Sequence, residues 1–301
     1  MRIETRGVQI ELVDEGPVDG DPVLLIMGLG MQLVAWPDEL VHDLIQRGHR
    51  VLRLDNRDAG LSSSFEHLGV PSIAAAAIRF ALRLPVRSPY SIADMAADCV
   101  GVLDALGLKR VHVCGASMGG MVAQHLAASH ADRVSSLTLV MTTSGARSLP
   151  QAKPKVQRML LRRPPPDAEV STIVAHIVAL LHVIGSPAYP PDPRRLHERV
   201  EAATRRAWRP HGTARQLLAV AADGDRSALL HRIAAPTHIV HGSHDPLVPV
   251  EAAHDLHRKI AGSTLDVIAG MGHDLPLPLM PRLAAGIAAN AKRATSRNED
   301  R

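Results

Sequence analysis

Short apolar runs alternate with amphipathic segments along most of this 301-residue chain, and that alternation limits its possible folds more than any other feature. PVLLIMG (Pro22–Gly28) is a continuous apolar run closed by glycine, the pattern of a strand buried on both faces. WPDELVHDLIQRG follows, with Pro37 and two acids in its first turn and Gly48 at its end, the start and stop signals of a helix. The same beat repeats through strand RVLRLDN, helix SIADMAADCVGVLDALGL, strand RVHVCGA, helix MGGMVAQHLAASH and strand VSSLTLVMTT. It resumes later with strand PTHIVHG, helix PVEAAHDLHRKIAG, strand STLDVIAG and helix PLMPRLAAGIAANAKR. VQIELVDEG alternates and predicts an early strand in a hairpin with the N-terminus. Such an order predicts a mostly parallel sheet with helices on both faces.

The rhythm breaks between residues 144 and 234, a stretch rich in Pro and Arg (LPQAKPK, RRPPPD, PAYPPDPRR, WRPHG). Helical patterns stand between those breaks: AEVSTIVAHIVALLHVIG, RRLHERVEAATRR and ARQLLAVAA. With no strand pattern inside it, the segment reads as a helical cap inserted at the sheet edge. The expected division is a core of residues 1–143 and 235–301 with a cap of 144–234. A second irregular stretch, Ser63 to Pro89, is expected to add to the same roof.

Composition narrows the function classes. Hydrophobic residues make up 46% and charged residues 21%, which suits a globular chain with a large core. The net charge of +4 is spread without a long basic block, and Phe, Trp and Tyr number only two each, so no nucleic-acid groove with stacking platforms is expected. The basic end AKRATSRNEDR reads as a frayed surface tail. Cys99 and Cys114 are too few for a disulfide framework. Glu4, Glu11, Asp14 and Glu15 leave no uninterrupted apolar leader, and the most apolar helical stretch is too short to span a bilayer, so a cytoplasmic address is expected. The sequence permits a homo-oligomer without specifying one.

Chemistry concentrates in three loops at strand ends. HVCGASMGGM sets Ser117 between a strand and the helix that follows directly, with Gly115 and Gly119 clearing the sharp turn. A bare G-x-S-x-G can be a glycine-rich turn with a spectator serine; strand before and helix after favour a nucleophile held at the C-terminal edge of the sheet. A serine hydroxyl needs a base and a group to orient that base. Of 17 histidines, His273 in IAGMGHDLP follows the last strand in a short Gly-rich loop; His241 and His244 are its rivals, and His254 and His257 read as solvent-facing. Asp245 in HIVHGSHDPLVP follows the preceding strand in a loop stiffened by Pro246 and Pro249, although an Asp before proline can also be a plain turn residue. TLVMTTSG offers no competing carboxylate, and Asp274 adjoins the base too closely in sequence to reach its Nδ1. The backbone N–H groups of Met118, at the helix start, and Leu29, in the MGLGMQ loop, are the candidate oxyanion donors. No H-E-x-x-H or closely spaced Cys/His set suggests a metal, and no cofactor is expected.

The stretches MGLGMQ, WPDE, RLDNRDAGLSS, GASMGGMVAQ, HGSHDPLVP and GMGH resemble the α/β-hydrolase superfamily, and more narrowly its aclacinomycin methylesterase-like branch of bacterial carboxylesterases. Asp58 stands where the wider superfamily usually has Gly, and the narrower branch shares it. The resemblance implies an α/β-hydrolase fold with an eight-stranded sheet, a Ser117–Asp245–His273 triad and hydrolysis of a small-molecule carboxylic ester through an acyl-enzyme. Asp55, Arg57 and Asp58 are expected to shape a turn. Carbon–carbon bond hydrolysis, cofactor-free perhydrolysis and a hydrolase-fold receptor with little turnover are the alternatives. Leu, Val, Ile, Met and Ala dominate the cap helices, with Trp208 and Tyr189 its only aromatics, so the expected pocket is apolar.

Overall fold

A computed structural model describes residues 1–162, 164–165 and 167–299. Eight strands form one sheet in the order β1-β2-β4-β3-β5-β6-β7-β8: β1 (Arg2–Thr5), β2 (Val8–Glu15), β3 (Asp21–Ile26), β4 (His49–Leu54), β5 (Val111–Ala116), β6 (Val134–Val140), β7 (Thr237–Gly242) and β8 (Thr264–Ile268). β2 pairs antiparallel with β1 and with β4; every other pairing is parallel. All six residues of β5 are buried at the centre of the sheet, which explains its mostly apolar sequence, and the one polar side chain, His112, is satisfied by Ser136 and Asp21.

Helices cover both faces. α1 (Asp38–Gln46) and α11 (Met280–Glu299) pack together, where Trp36, Leu40, Leu44, Leu283 and Ile287 join one side of the core. α3 (Ile92–Ala105) and α4 (Met118–Ser129) pack together on the other, and α10 (Glu251–Lys259) lies against β7 and β8. Ser91 caps α3 in a reciprocal capping box with Asp94. α11 runs on to Glu299 rather than fraying after Arg293, while Asp300 and Arg301 of the expected tail lie outside the described residues. Cys99 and Cys114 are unpaired, and burial pushes both thiols far above their usual range.

Between β6 and β7 the described residues form helices only: α5 (Pro154–Leu161), α6 (Val170–Ile184), α7 (Pro193–Arg206), α8 (Pro210–Asp223) and α9 (Ser227–Leu230). α6 and α7 share a small cluster of their own through Val174, Leu196 and Val200, whereas Ala219 and Leu230 join the sheet's main core. Arg163 and Pro166 of the RRPPPD break lie outside the described residues. The stretch after β4 is less irregular than its sequence suggests, because α2 (Ile73–Ala81), capped by Ser72, forms within it and packs on α8.

Candidate active site

Ser117 links β5 to α4 at φ +54°, a left-handed conformation that costs about 1–3 kcal/mol for a non-glycine residue and persists only where its surroundings enforce it. Two contacts do so: the Ser117 N–H donates to Val140 O at 2.9 Å, and the Thr142 hydroxyl donates to Ser117 O at 2.7 Å. The flanking glycines are required by space. A Cβ on Gly115 would lie 2.3 Å from Gly119 O, and one on Gly119 would lie 2.0 Å from Ile26 O.

His273 and Asp245 arrive from loops after β8 and β7. Asp245 is anchored through Oδ1, which accepts from the N–H groups of Leu247 and Val248 at 2.9 and 2.8 Å. This leaves Oδ2 facing His273 Nδ1 at 2.6 Å. On the other side of the imidazole, Nε2 lies 3.0 Å from Ser117 Oγ. With the ring proton on Nδ1 and directed at the carboxylate, Nε2 is free to accept from the serine hydroxyl. The Ser243 and His244 N–H groups donate to Ile268 O and Met271 O, tying the two loops together, and the His273 N–H donates to Ile184 O at the end of α6. Three residues from distant parts of the sequence thus form one hydrogen-bonded line. Asp245 and His273 are buried, and Ser117 is partly accessible.

The rival histidines sit elsewhere. His241 is buried beneath the acid, with Nε2–H donating to Val248 O at 2.8 Å and Nε2 3.5 Å from Asp245 Oδ2; burial lowers its pKa and favours the neutral ring. His244 contacts the Ser243 hydroxyl, and His254 and His257 are exposed on α10. The Asp274 carboxylate accepts from the Ser186 hydroxyl at 2.5 Å, and burial raises its pKa.

The loop after β3 lies directly over the serine: a Cβ on Gly28 would come within 3.1 Å of Ser117 Cβ. Its conformation is held from the helical segment, a connection not visible in the sequence patterns. Gln216 of α8 is fully buried, accepting from the Gly30 N–H and donating to Arg57 O, both at 2.8 Å. The Gln32 amide donates to Ala203 O and Ala207 O. At the helix start, the Gly120 and Met121 N–H groups donate to Ser117 O, so the Met118 N–H precedes the first helical bonds.

Asp55 and Asp58 shape the turn after β4 and also bind the helical segment. Asp55 accepts from the Leu33 and Leu61 N–H groups and pairs with Arg206 at 2.8 Å. Asp58 accepts from the Phe65 N–H and the Tyr90 hydroxyl and pairs with Arg215 at 2.8 Å, both side chains having no exposure. Burial opposes ionisation of Asp58, but the Arg215 bond and the other donors outweigh it and hold its pKa below the usual carboxylate range.

Two cavities flank this region. One, of about 380 Å³, is lined by Phe80, Met121, Thr143, Leu218, Leu247 and Val248 among others and is predominantly apolar. The other, of about 80 Å³, lies between Gly30–Gln32 and the α6–α7 pair and includes Trp208. Tyr189 lies instead in a separate cavity beside Asp274. Phe80 is the aromatic wall residue that a reading confined to residues 144–234 misses. Among the described residues, no group of three or more His, Cys, Asp or Glu side chains is placed to hold a metal ion.

The chain belongs to the α/β-hydrolase fold family, which it matches over residues 21–174. Within that family it is similar to rhodomycin D methylesterase DnrP of Streptomyces peucetius, at 30% identity over 95% of this chain and 97% of the relative. Rhodomycin D methylesterase DauP of Streptomyces sp. (strain C5) is 28% identical over the same shares. The fold is shared with a thermophilic esterase from Thermogutta terrifontis, at TM-score 0.71 and 24% identity over 98% of this chain and 99% of that one. It is also shared with a meta-cleavage product hydrolase from Pseudomonas fluorescens IP01, at TM-score 0.72 and 19% identity over 100% and 98%.

Proposed function

We propose that the protein is a serine carboxylesterase acting on small to medium carboxylic esters, methyl esters among them. The observation that carries this reading is the line of contacts from Ser117 Oγ through His273 to Asp245, at 3.0 and 2.6 Å, beneath the Gly28–Leu29 loop. The methylesterase relatives point to the ester class. The apolar cavity beside Met121 suits an uncharged acyl or alcohol group.

In this mechanism the Ser117 proton moves to His273 Nε2 as Oγ bonds to the ester carbonyl carbon. The negative charge on the carbonyl oxygen is met by the N–H groups of Leu29 and Met118, each worth roughly 3 kcal/mol if it behaves as measured oxyanion donors do. Collapse breaks the bond to the leaving alkoxide, which takes the proton from His273 and departs as alcohol. Water then repeats the sequence on the acyl-enzyme and releases the acid. Asp245 keeps the imidazole oriented and stabilises its charged form. The helical segment 144–234 acts as a cap over the rim, its hold on the Gly28–Gln32 loop coupling substrate shape to the oxyanion site. Two unpaired thiols suit a reducing compartment such as the cytoplasm.

The test is hydrolysis of methyl and p-nitrophenyl esters that vary separately in acyl and alcohol length, with fluorophosphonate labelling of the same preparations. Ser117→Ala is expected to lose labelling and at least about 10³-fold in kcat. Unlabelled, well-folded parent protein would favour a ligand-binding receptor instead, and turnover of a vinylogous diketone without turnover of esters would favour carbon–carbon hydrolysis.

A further inference from the structure

Among the described residues, six of the nine large hydrophobic side chains that stand exposed fall in one short stretch: Leu68, Val70, Ile78, Phe80, Leu82 and Leu84, at 45–64% exposure. This stretch contains α2, whose sequence IAAAAIRFA has one polar residue. Helical spacing gives α2 two apolar faces. Ile73, Ala76, Ala77 and Phe80 line the 380 Å³ cavity, whereas Ala74, Ile78 and Ala81 fall on the outer side and are exposed. A helix that is apolar all round ordinarily lies inside a protein or a membrane. Here the inner face packs in part on α8, with Ala76 buried, whereas Ala74, Ile78 and Ala81 of the outer face are all exposed.

Between residues 67 and 93 the charged side chains are of one sign. Arg79, Arg83 and Arg87 punctuate the stretch, and no Asp or Glu occurs between residues 67 and 93. The Arg79 Nε–H donates to Pro85 O, folding the segment after α2 back on the helix, while Arg83 and Arg87 are exposed. We propose that this face docks on a lipid surface bearing anionic headgroups, with Ile78, Leu82 and Leu84 entering the acyl boundary and the arginines at the phosphates. Apolar side chains interleaved with arginine are the combination that binds in the interfacial plane, and no transmembrane segment is required. A second copy of the chain fits less well. A two-fold contact through this face would bring both sets of arginines together with no carboxylate in the stretch to offset them.

The docked face and the cavity wall are opposite sides of the same helix, so an apolar ester leaving the lipid would meet the cavity behind α2. That last step rests on the esterase reading; the docking does not.

The experiment is cosedimentation of the full chain with vesicles of phosphatidylcholine alone or with about 30% phosphatidylglycerol, at about 0.1 M salt. The parent is expected to bind the phosphatidylglycerol vesicles at least about tenfold more tightly, and to lose most of that advantage at about 0.5 M salt, where exposed charges are screened. The double variant Ile78→Glu, Leu82→Glu replaces exposed side chains outside the cavity lining and is expected to lose binding about tenfold or more. Its melting curve and its hydrolysis of water-soluble p-nitrophenyl acetate should stay those of the parent. Ser117→Ala is expected to bind vesicles as the parent does, which separates failure of docking from failure of the catalytic reading. The proposal is overturned if the folded parent binds neither vesicle, if the double variant binds as tightly as the parent, or if the parent is a dimer in solution that the double variant disrupts.

Discussion

Gln216 offers a direct way to ask whether the helical segment sets the reactivity of the sheet-borne serine. Its side chain is fully buried and makes two 2.8 Å hydrogen bonds, one from the Gly30 N–H and one to Arg57 O. Gln216→Met keeps the volume but removes both bonds. Each orphaned backbone group costs about 1–3 kcal/mol, so the pair predicts a loss of about 2–6 kcal/mol in stability. At about 2 °C per kcal/mol for a chain of this size, Tm should fall by at least about 4 °C. The consequence for catalysis follows from adjacency. Gly30 follows Leu29 directly, and freeing its peptide would loosen the aim of the Leu29 N–H at the oxyanion site proposed above. Complete loss of one such donor is worth about 10²–10³ in kcat, so a fall of about 10- to 10³-fold is expected. KM for p-nitrophenyl acetate should change much less, because the donor acts on the charge that develops in the transition state. The assay is steady-state kinetics well below each variant's transition, with scanning fluorimetry for Tm. A folded Gln216→Met enzyme with kcat within about twofold of the parent would refute the reasoning.

Arg215→Met leaves the Asp58 carboxylate buried without its partner and is expected to cost about 3–5 kcal/mol, read from urea unfolding. Because the folded-state pKa of Asp58 is lowered, its contribution is present above the ordinary carboxylate range and is lost as pH falls through the lowered value. The stability gap between the parent and Asp58→Asn should therefore narrow below about pH 4. Ser117→Gly and Ser117→Ala both remove the hydroxyl, but only glycine relieves the +54° backbone, so the glycine variant should be the more stable by about 1–2 kcal/mol in the same unfolding assay. Gly119→Ala should yield no folded protein by circular dichroism, since its Cβ would need the Ile26 carbonyl to move by more than an ångström.

The sheet was readable because its central strands are covered on both faces, which forces mostly apolar runs such as PVLLIMG and RVHVCGA, and because helices such as α1 and α3 carry their own start residues. The three side chains at the strand ends were readable for the same reason, since each follows a recognisable strand. The proline-rich middle was harder. Its prolines read as breaks, yet Pro154, Pro193 and Pro210 each stand in the first turn of a helix, where a missing N–H costs nothing. That is why α5 went unread and α8 begins four residues before the pattern ARQLLAVAA. α2 was hidden because its alanines and isoleucines have no polar face to set a period. Gln216, Arg206 and Arg215 could not be found at all from local pattern. Their partners lie 146 or more residues away, and a buried glutamine in an amphipathic helix looks like any other polar position.

The state of the two native thiols has a practical corollary. Cys114 is three residues from the elbow serine but faces the packed interior, and Cys99 is enclosed in α3, so alkylating reagents find little thiolate on the intact protein. Exchanging the Ser117 oxygen for sulfur would create a single addressable handle against a silent background. A fluorophore or spin label could then report on the mouth of the site in the native protein, with no prior cysteine removal.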